Sequence, residues 1–278
     1  MTRLAVDVVL LPDKAVTEQA ITINRGLVER FGSESVCEKG VVGPSPSEKP
    51  QGAEAEAGDA PECIVDAGRQ SHGALQPDEA RATSHTCSEI VLDAETCLPH
   101  VSLAMGCIDP KDLDAIGRIL RQFALENPPE ELTVIGVAVI THAKGRKVSS
   151  FLIDKTEPLQ RLHEEVLGRL SPFFTYDVTG PMLYGSGPIS ATTLAWIRDF
   201  PSKSSLDFFW PHITLGYGEA SALDRPTSFI ATHLALCHLG NHCTCRKVLT
   251  SVEWSERGMA PSKPRNQESE CHRGSISD

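Results

Sequence analysis

The stretch Pro99-His100-Val101-Ser102-Leu103-Ala104-Met105-Gly106 decides how this chain is read, because it returns as Pro211-His212-Ile213-Thr214-Leu215-Gly216-Tyr217-Gly218. Both copies run Pro, His, a β-branched aliphatic, a hydroxyl residue, Leu, two free positions, Gly. Val101, Leu103, Ile213 and Leu215 are strand formers, and each copy alternates. In a strand, side chains at i and i+2 point to one face. His100 and Ser102 therefore share a face, as do His212 and Thr214, while the aliphatic residues fill the opposite face. Proline before each histidine suits the first residue of a strand. A single His-x-Ser or His-x-Thr carries little in a chain with ten histidines. The whole pattern met twice carries much more, and the remaining chain reads as a scaffold that brings the two copies face to face.

The chain has 278 residues, enough for one or two domains with an ample core. No apolar run approaches the ~18 residues of a membrane span. The run Leu4 to Leu11 is a short strand without a signal-cleavage pattern, so a cytoplasmic protein is expected. Nine cysteines without a framework spacing then argue for reduced thiols rather than disulfides. The formal charge of −11 speaks against a broad nucleic-acid-binding surface. Residues 33–88 hold ten acidic and four basic side chains, so −6 of that charge lies there and the rest of the chain is only mildly acidic.

The strand Leu4–Leu11 ends at Pro12. Asp13 caps a helix whose apolar face is Val16, Ala20, Ile23, Leu27 and Phe31, closed by Gly32. Residues 33–88 are rich in Gly, Pro, Ser, Ala and Glu, with no sustained periodicity. Such a composition does not repay its ordering entropy, and the segment reads as a disordered insertion. A short strand Ile90–Leu92 leads to the first histidine segment. Asp109 caps a helix through Leu113, Ile116, Leu120 and Phe123, ended by Asn127-Pro128-Pro129. Leu132–Ile140 and Val148–Ile153 form a hairpin around Ala143-Lys144-Gly145-Arg146. Leu159, Leu162, Val166 and Leu170 line a helix. A turn-rich region and a helix from Ser190 to Phe200 precede the second histidine segment. Phe229–Leu239 and Cys243–Trp254 read as strands around Gly240-Asn241. Residues 255–278 read as a disordered tail. The expected architecture is α+β: one bilobed domain over residues 1–254, interrupted at 33–88, with two lobes of antiparallel sheet plus helices related by an approximate twofold about a central groove.

Two facing imidazoles suit general acid–base catalysis, one taking a proton from an attacking hydroxyl or water, the other protonating the leaving oxygen. The hydroxyls of Ser102 and Thr214 suit the non-bridging oxygens of a phosphate. The two His-x-Ser/Thr segments, 112 residues apart, resemble those of the two-histidine phosphoesterase superfamily, nearest to its 2′-5′ RNA ligase and RNA 2′,3′-cyclic phosphodiesterase members. The resemblance covers residues 1–32 and 89–254. It implies the bilobed fold, catalysis by His100 and His212, phosphate binding by Ser102 and Thr214, no metal and no other cofactor. It also implies a nucleotide or RNA end as substrate, with 2′,3′-cyclic phosphates or 2′-5′ linkages as the reacting group. No membrane and no obligatory protein partner are expected. Two departures stand out: the insertion is longer than the family pattern leads one to expect, and Ser rather than Thr occupies position 102. An RNA end needs a stacking surface and a cation, for which Tyr184 in its Gly-rich loop and Arg146 at a turn are candidates. A non-catalytic RNA- or nucleotide-binding module using the same groove is the alternative. The crowd of His233, Cys237, His238, His242, Cys243 and Cys245 suggests zinc at first sight, but alternation along a hairpin sends neighbours to opposite faces, which disfavours one shared ion.

Overall fold

The computed structural model describes residues 2–31, 90–129, 131–141 and 145–254. The expected insertion 33–88, the Gly32 helix stop, Ala143 and Lys144 of the hairpin turn and the tail 255–278 lie outside the described residues.

The described chain is α+β. The order is β1 (Leu4–Leu11), α1 (Lys14–Phe31), β2 (Val101–Ile108), α2 (Leu113–Glu126), β3 (Glu131–Thr141), β4 (Lys147–Ile153), α3 (Glu157–Leu170), α4 (Ala191–Lys203), β5 (His212–Tyr217), β6 (Thr227–Ile230), β7 (His233–Leu239) and β8 (Cys245–Glu253). Two antiparallel four-stranded sheets result, ordered β2-β1-β7-β8 and β5-β4-β3-β6. Each histidine strand is thus an edge strand of its sheet.

The two sheets are built on one plan. In the first, β1 leads through α1 to the histidine strand β2; in the second, β4 leads through α3 to β5. The helices cross over: α1 packs on β5 and α3 packs on β2. Val6, Val8, Val101 and Ile108 of the first sheet and Val134, Phe151, Ile213 and Leu215 of the second accordingly share one buried core. The pairing also matches in detail. Val9 faces Ser102 and Val8 faces Ala104, so Leu103 bulges out of register. Ser150 faces Thr214 and Ser149 faces Gly216, so Leu215 does the same. A bulge leaves one residue unpaired on the bulged strand. Each freed carbonyl finds a buried polar side chain on the crossing helix. Asn24 Nδ2 donates to Leu215 O at 2.8 Å, and His163 Nδ1 donates to Leu103 O at 2.6 Å.

The glycine that closes each copy of the repeat has a packing reason. A Cβ at Gly106 would stand 2.9 Å from the Phe174 ring, and one at Gly218 would stand 2.3 Å from Phe31. Gly218 also has a φ of 114°, which other residues rarely adopt.

Several sequence expectations change. Ile90–Leu92 is irregular rather than a strand. Its backbone is taken by Asn24, which donates to Ile90 O at 2.7 Å and accepts from Leu92 N at 2.8 Å. Asp109 caps a short 3₁₀ turn, Pro110–Asp112, and α2 begins only at Leu113. Phe229–Leu239 is two strands in different sheets, β6 beside β3 and β7 beside β1, with the change of sheet at Ala231-Thr232. The reduced-thiol expectation fails at one pair: Cys237 and Cys245 form a disulfide across the β7–β8 hairpin. Among the described residues, Cys107 and Cys243 remain thiols. The other helices form where expected, and Asp13 caps α1 by accepting from Val16 N at 2.9 Å. No helix among the described residues is long and apolar enough to cross a membrane.

Candidate active site

Both histidines are oriented by the same local device. The Nδ1–H of His100 donates to Leu98 O at 2.8 Å, and that of His212 donates to Trp210 O at 2.8 Å. In each case the acceptor is two residues upstream and precedes a proline, which holds that residue extended. A carbonyl only accepts, so each Nδ1 carries its hydrogen and each Nε2 is left for chemistry. Strands β2 and β5 approach each other directly, and the charge of His212 reaches His100.

Strand register places the hydroxyls beside these rings. His212, Thr214 and Tyr217 pair with Leu152, Ser150 and Val148, which alternate along β4 and so share one face. The bulge at Leu215 is what brings Tyr217, three residues after Thr214, back to the histidine face. In the other sheet, Ser102 and Met105 pair with Val9 and Asp7 on one face of β1. Asp7 was not foreseen from the sequence, yet it is fully buried here. Its Oδ2 accepts from Ser102 Oγ at 2.6 Å and lies 4.0 Å from His100 Nε2.

Burial sets the charge of this cluster. It pushes His100 down to about 4; the Leu98 carbonyl works against that shift, and repulsion from His212 adds to it. Burial also lowers His212, against the Trp210 carbonyl. For Asp7, burial raises the carboxyl to about 8, although the Ser102 hydroxyl and the Ala104 amide favour its charged form. The resting site near neutral pH is therefore two neutral imidazoles above a largely neutral acid.

At the far end of the histidine face of β5, Tyr217 OH bonds His242 Nδ1 at 2.9 Å, and the Arg146 guanidinium lies 3.7 Å over the Tyr217 ring. Trp210 stacks obliquely on His212 with centroids 4.7 Å apart. Of the expected substrate-binding pair, Arg146 is thus joined to the histidine strand through Tyr217. Tyr184 meets His238 edge-on at 5.5 Å, and His238 faces away from Asp7, because it pairs with Val6 while Cys237 pairs with Asp7. The His/Cys crowd disperses in the same way. Cys237 and Cys245 are bonded to each other, His238 to Met182 O and His242 to Tyr217. Among the described residues no three His, Cys, Asp or Glu side chains converge as metal ligands.

No curated protein matches the chain. Among solved structures, the crystal structure of TT0787 of Thermus thermophilus aligns with 91% of this chain and 100% of its own, at 12% identity and a TM-score of 0.41. The sequence pattern of the 2′-5′ RNA ligase superfamily matches residues 77–234, more than half of the chain, and that span includes both histidines, Ser102 and Thr214. It supports a phosphodiesterase-like function, and the chain belongs to the 2′-5′ RNA ligase superfamily.

Proposed function

We propose that this protein is a metal-independent phosphodiesterase acting on 2′,3′-cyclic phosphate or 2′-5′-linked RNA and nucleotides, with His100 as general base and His212 as general acid. The supporting observation is the pair of imidazoles with Nδ1 held by an upstream carbonyl and a hydroxyl side chain beside each. His100 is assigned as base because burial holds it neutral well below its ordinary value. Its Nε2 takes the proton of an attacking water as the oxygen bonds to phosphorus. His212, protonated once the anionic ester is bound, gives its Nε2 proton to the ribose oxygen that leaves. Ser102 and Thr214 donate to the non-bridging oxygens, where charge builds. With a ribose hydroxyl in place of water, the same steps join it to the cyclic phosphate: its proton goes to His100 Nε2, and the ribose oxygen leaves with the proton of His212.

The body of the substrate lies on the second sheet in this reading. On the first sheet, Ala5, Met105 and Cys107 are covered by Leu183, Ile197 and Phe200. On the second, Gly136, Ala138, Val148 and Leu152 stay partly open beside His212 and Thr214, with Tyr217 and Arg146 at the end. The test is a panel of 2′,3′-cyclic nucleotides and 2′-5′ and 3′-5′ dinucleotides, with products identified, run with and without EDTA. Turnover of a cyclic phosphate or a 2′-5′ dinucleotide, unchanged by EDTA, is the expected result. Binding without turnover of any member would favour the non-catalytic module instead, and activity restored only by a divalent ion would overturn the two-histidine mechanism.

A further inference from the structure

Asp7 sits outside the matched span, on β1, beneath Ser102 and His100. Its Oδ2 shares a 2.6 Å hydrogen bond with Ser102 Oγ. Its Oδ1 is buried with no hydrogen-bond partner. A hydroxyl has one hydrogen to give. If Asp7 is a carboxylate, it takes that hydrogen, and Ser102 has none for a phosphate oxygen. If Asp7 is a neutral acid, the direction reverses: the Asp7 O–H donates to Ser102 Oγ, and the serine hydrogen is free to point into the groove. We propose that Asp7 is a positioning residue of the phosphate site: as a neutral acid it turns the Ser102 hydroxyl toward the substrate, and as a carboxylate it withdraws it. This rests on the phosphodiester reading above and deepens it.

The surroundings favour the neutral form at rest. Burial raises Asp7 to about 8. The groups facing it are His100 and Ser102 on β2, Cys237 on β7, which is tied up in its disulfide, and Cys243 beyond β7. The Cys243 thiol is pushed up by burial and further by Asp7. His212 on β5 acts on the cluster through His100. Among the described residues, His100 is the one basic group within 4.0 Å of Asp7. Ionising Asp7 has a second consequence: it favours the protonated form of His100 and so removes the base.

The experiment measures binding of adenosine 2′,3′-cyclic phosphate, whose single charge is constant between pH 6 and 9.5 in this design, to the full chain carrying His212→Ala to stop turnover. Affinity should weaken about ten- to hundredfold as pH rises through the region of 8, the range for one hydrogen bond to a charged oxygen. With Asp7→Asn added, the amide donates to Ser102 without titrating, so affinity should be the same from pH 6 to 9.5. With Asp7→Leu added, affinity should be weak throughout. In parallel, the Asp7 carboxyl is followed by ¹³C NMR in the His212→Ala chain with Asp7 intact. Its titration should lie near 8 and move upward when ligand is bound, since ligand prefers the neutral acid. That measurement decides the matter even if Asp7→Asn fails to fold. An Asp7 titration below 5, one that ligand leaves unmoved, or alkaline weakening that persists in Asp7→Asn would each overturn the inference while leaving the phosphodiester reading intact. A chain that binds the cyclic phosphate at no pH would overturn both.

Discussion

The segments β1–α1–β2 and β4–α3–β5 solve one problem twice and then diverge at one position. Both place Pro-His at the start of an edge strand, a hydroxyl two residues on, a leucine bulge after it, and a buried polar side chain from the crossing helix on the bulge carbonyl. Past the bulge, Met105 faces Asp7 in the first sheet, whereas Tyr217 faces Val148 in the second. One half carries an acid under the site, and the other carries a phenol with a guanidinium stacked on it. Repetition therefore supplies the shared requirement, an oriented imidazole beside a hydroxyl, and in the proposed function the difference would leave the acid of the first sheet to tune the site and the phenol and guanidinium of the second to meet the substrate.

The comparison is tested hardest at the histidines. His100→Ala and His212→Ala should each lower kcat/KM about a hundred- to ten-thousandfold, the range for general acid–base catalysis. Because they act in one step, the double variant should lose far less than the product of the two. A nitrophenyl ester, whose leaving group needs little protonation, should rescue His212→Ala and not His100→Ala; the opposite rescue would exchange their roles. Near-wild-type kcat/KM for either, in well-folded protein, would break the reading. The pH profile follows from the same burial. His100 becomes a competent base as pH rises past about 4, and His212, lowered below its ordinary 6.5, stops being an acid as pH rises further. The kcat/KM optimum should then fall on the acid side of 6.5. The limbs belong to the coupled pair rather than to either ring, and an optimum at pH 8 would contradict the assignment.

A smaller effect is expected at the hydroxyls. Ser102→Ala or Thr214→Val removes a hydrogen bond to a charged oxygen, worth roughly 1.5–3 kcal/mol, or about ten- to hundredfold in rate. Unchanged turnover in both would remove them from the site. Stability should report the shared plan of the two halves. Asn24→Ala and His163→Ala each leave a buried bulge carbonyl without its partner, at about 1–3 kcal/mol, read by denaturant unfolding. Asn24 also holds Ile90 O and Leu92 N, and His163 also accepts from Leu206 N and stacks on Phe209 at 4.1 Å, so the two losses should be of similar size. A neutral effect at both sites would mean that water replaces these side chains.

The repeat was readable because strand alternation alone puts histidine and hydroxyl on one face, and that needs no tertiary information. What supports the site was hidden by the same apolar patterns that revealed the elements. Asp7 sits within an otherwise apolar strand, so Leu4–Leu11 reads as uniform core, although a single acid inside a run of buried residues was the available signal. Asn24 lies between Ala20 and Leu27, and His163 between Leu159 and Val166, at matching positions of their helices. Sequence reading traced the apolar stripe through Ile23 and Leu162 instead, because burial of a polar group is justified only by a carbonyl from a distant bulge. The change of sheet at Ala231-Thr232 carries no Gly or Pro, so nothing local separates β6 from β7. The disulfide joins cysteines eight apart across a hairpin whose register only the fold defines.

The smallest effect belongs to the position where the halves differ. Arg146 lies over Tyr217 at 3.7 Å, and Tyr217 shares its face with His212 and Thr214 but stands beyond the bulge, away from the imidazoles. In the proposed function a group placed there would meet the substrate's body or a second phosphate and not the reacting phosphorus, so it should contribute equally to ground state and transition state. Uniform binding of that kind appears in KM and leaves kcat alone. Arg146→Met should therefore raise KM about three- to tenfold on a dinucleotide, with kcat within about twofold, in keeping with the roughly 0.5–1 kcal/mol of an exposed cation–π contact plus some lost charge attraction. Arg146→Lys keeps the charge and loses the planar stack, so it should recover part of the loss, and the recovered part should fade with added salt. Tyr217→Phe removes only the bond to His242 Nδ1 and should do less than either. A fall in kcat equal to the fall in kcat/KM would instead place Arg146 on the transition state, alongside His212 and Thr214 of the same strand pair, rather than on the body of the substrate.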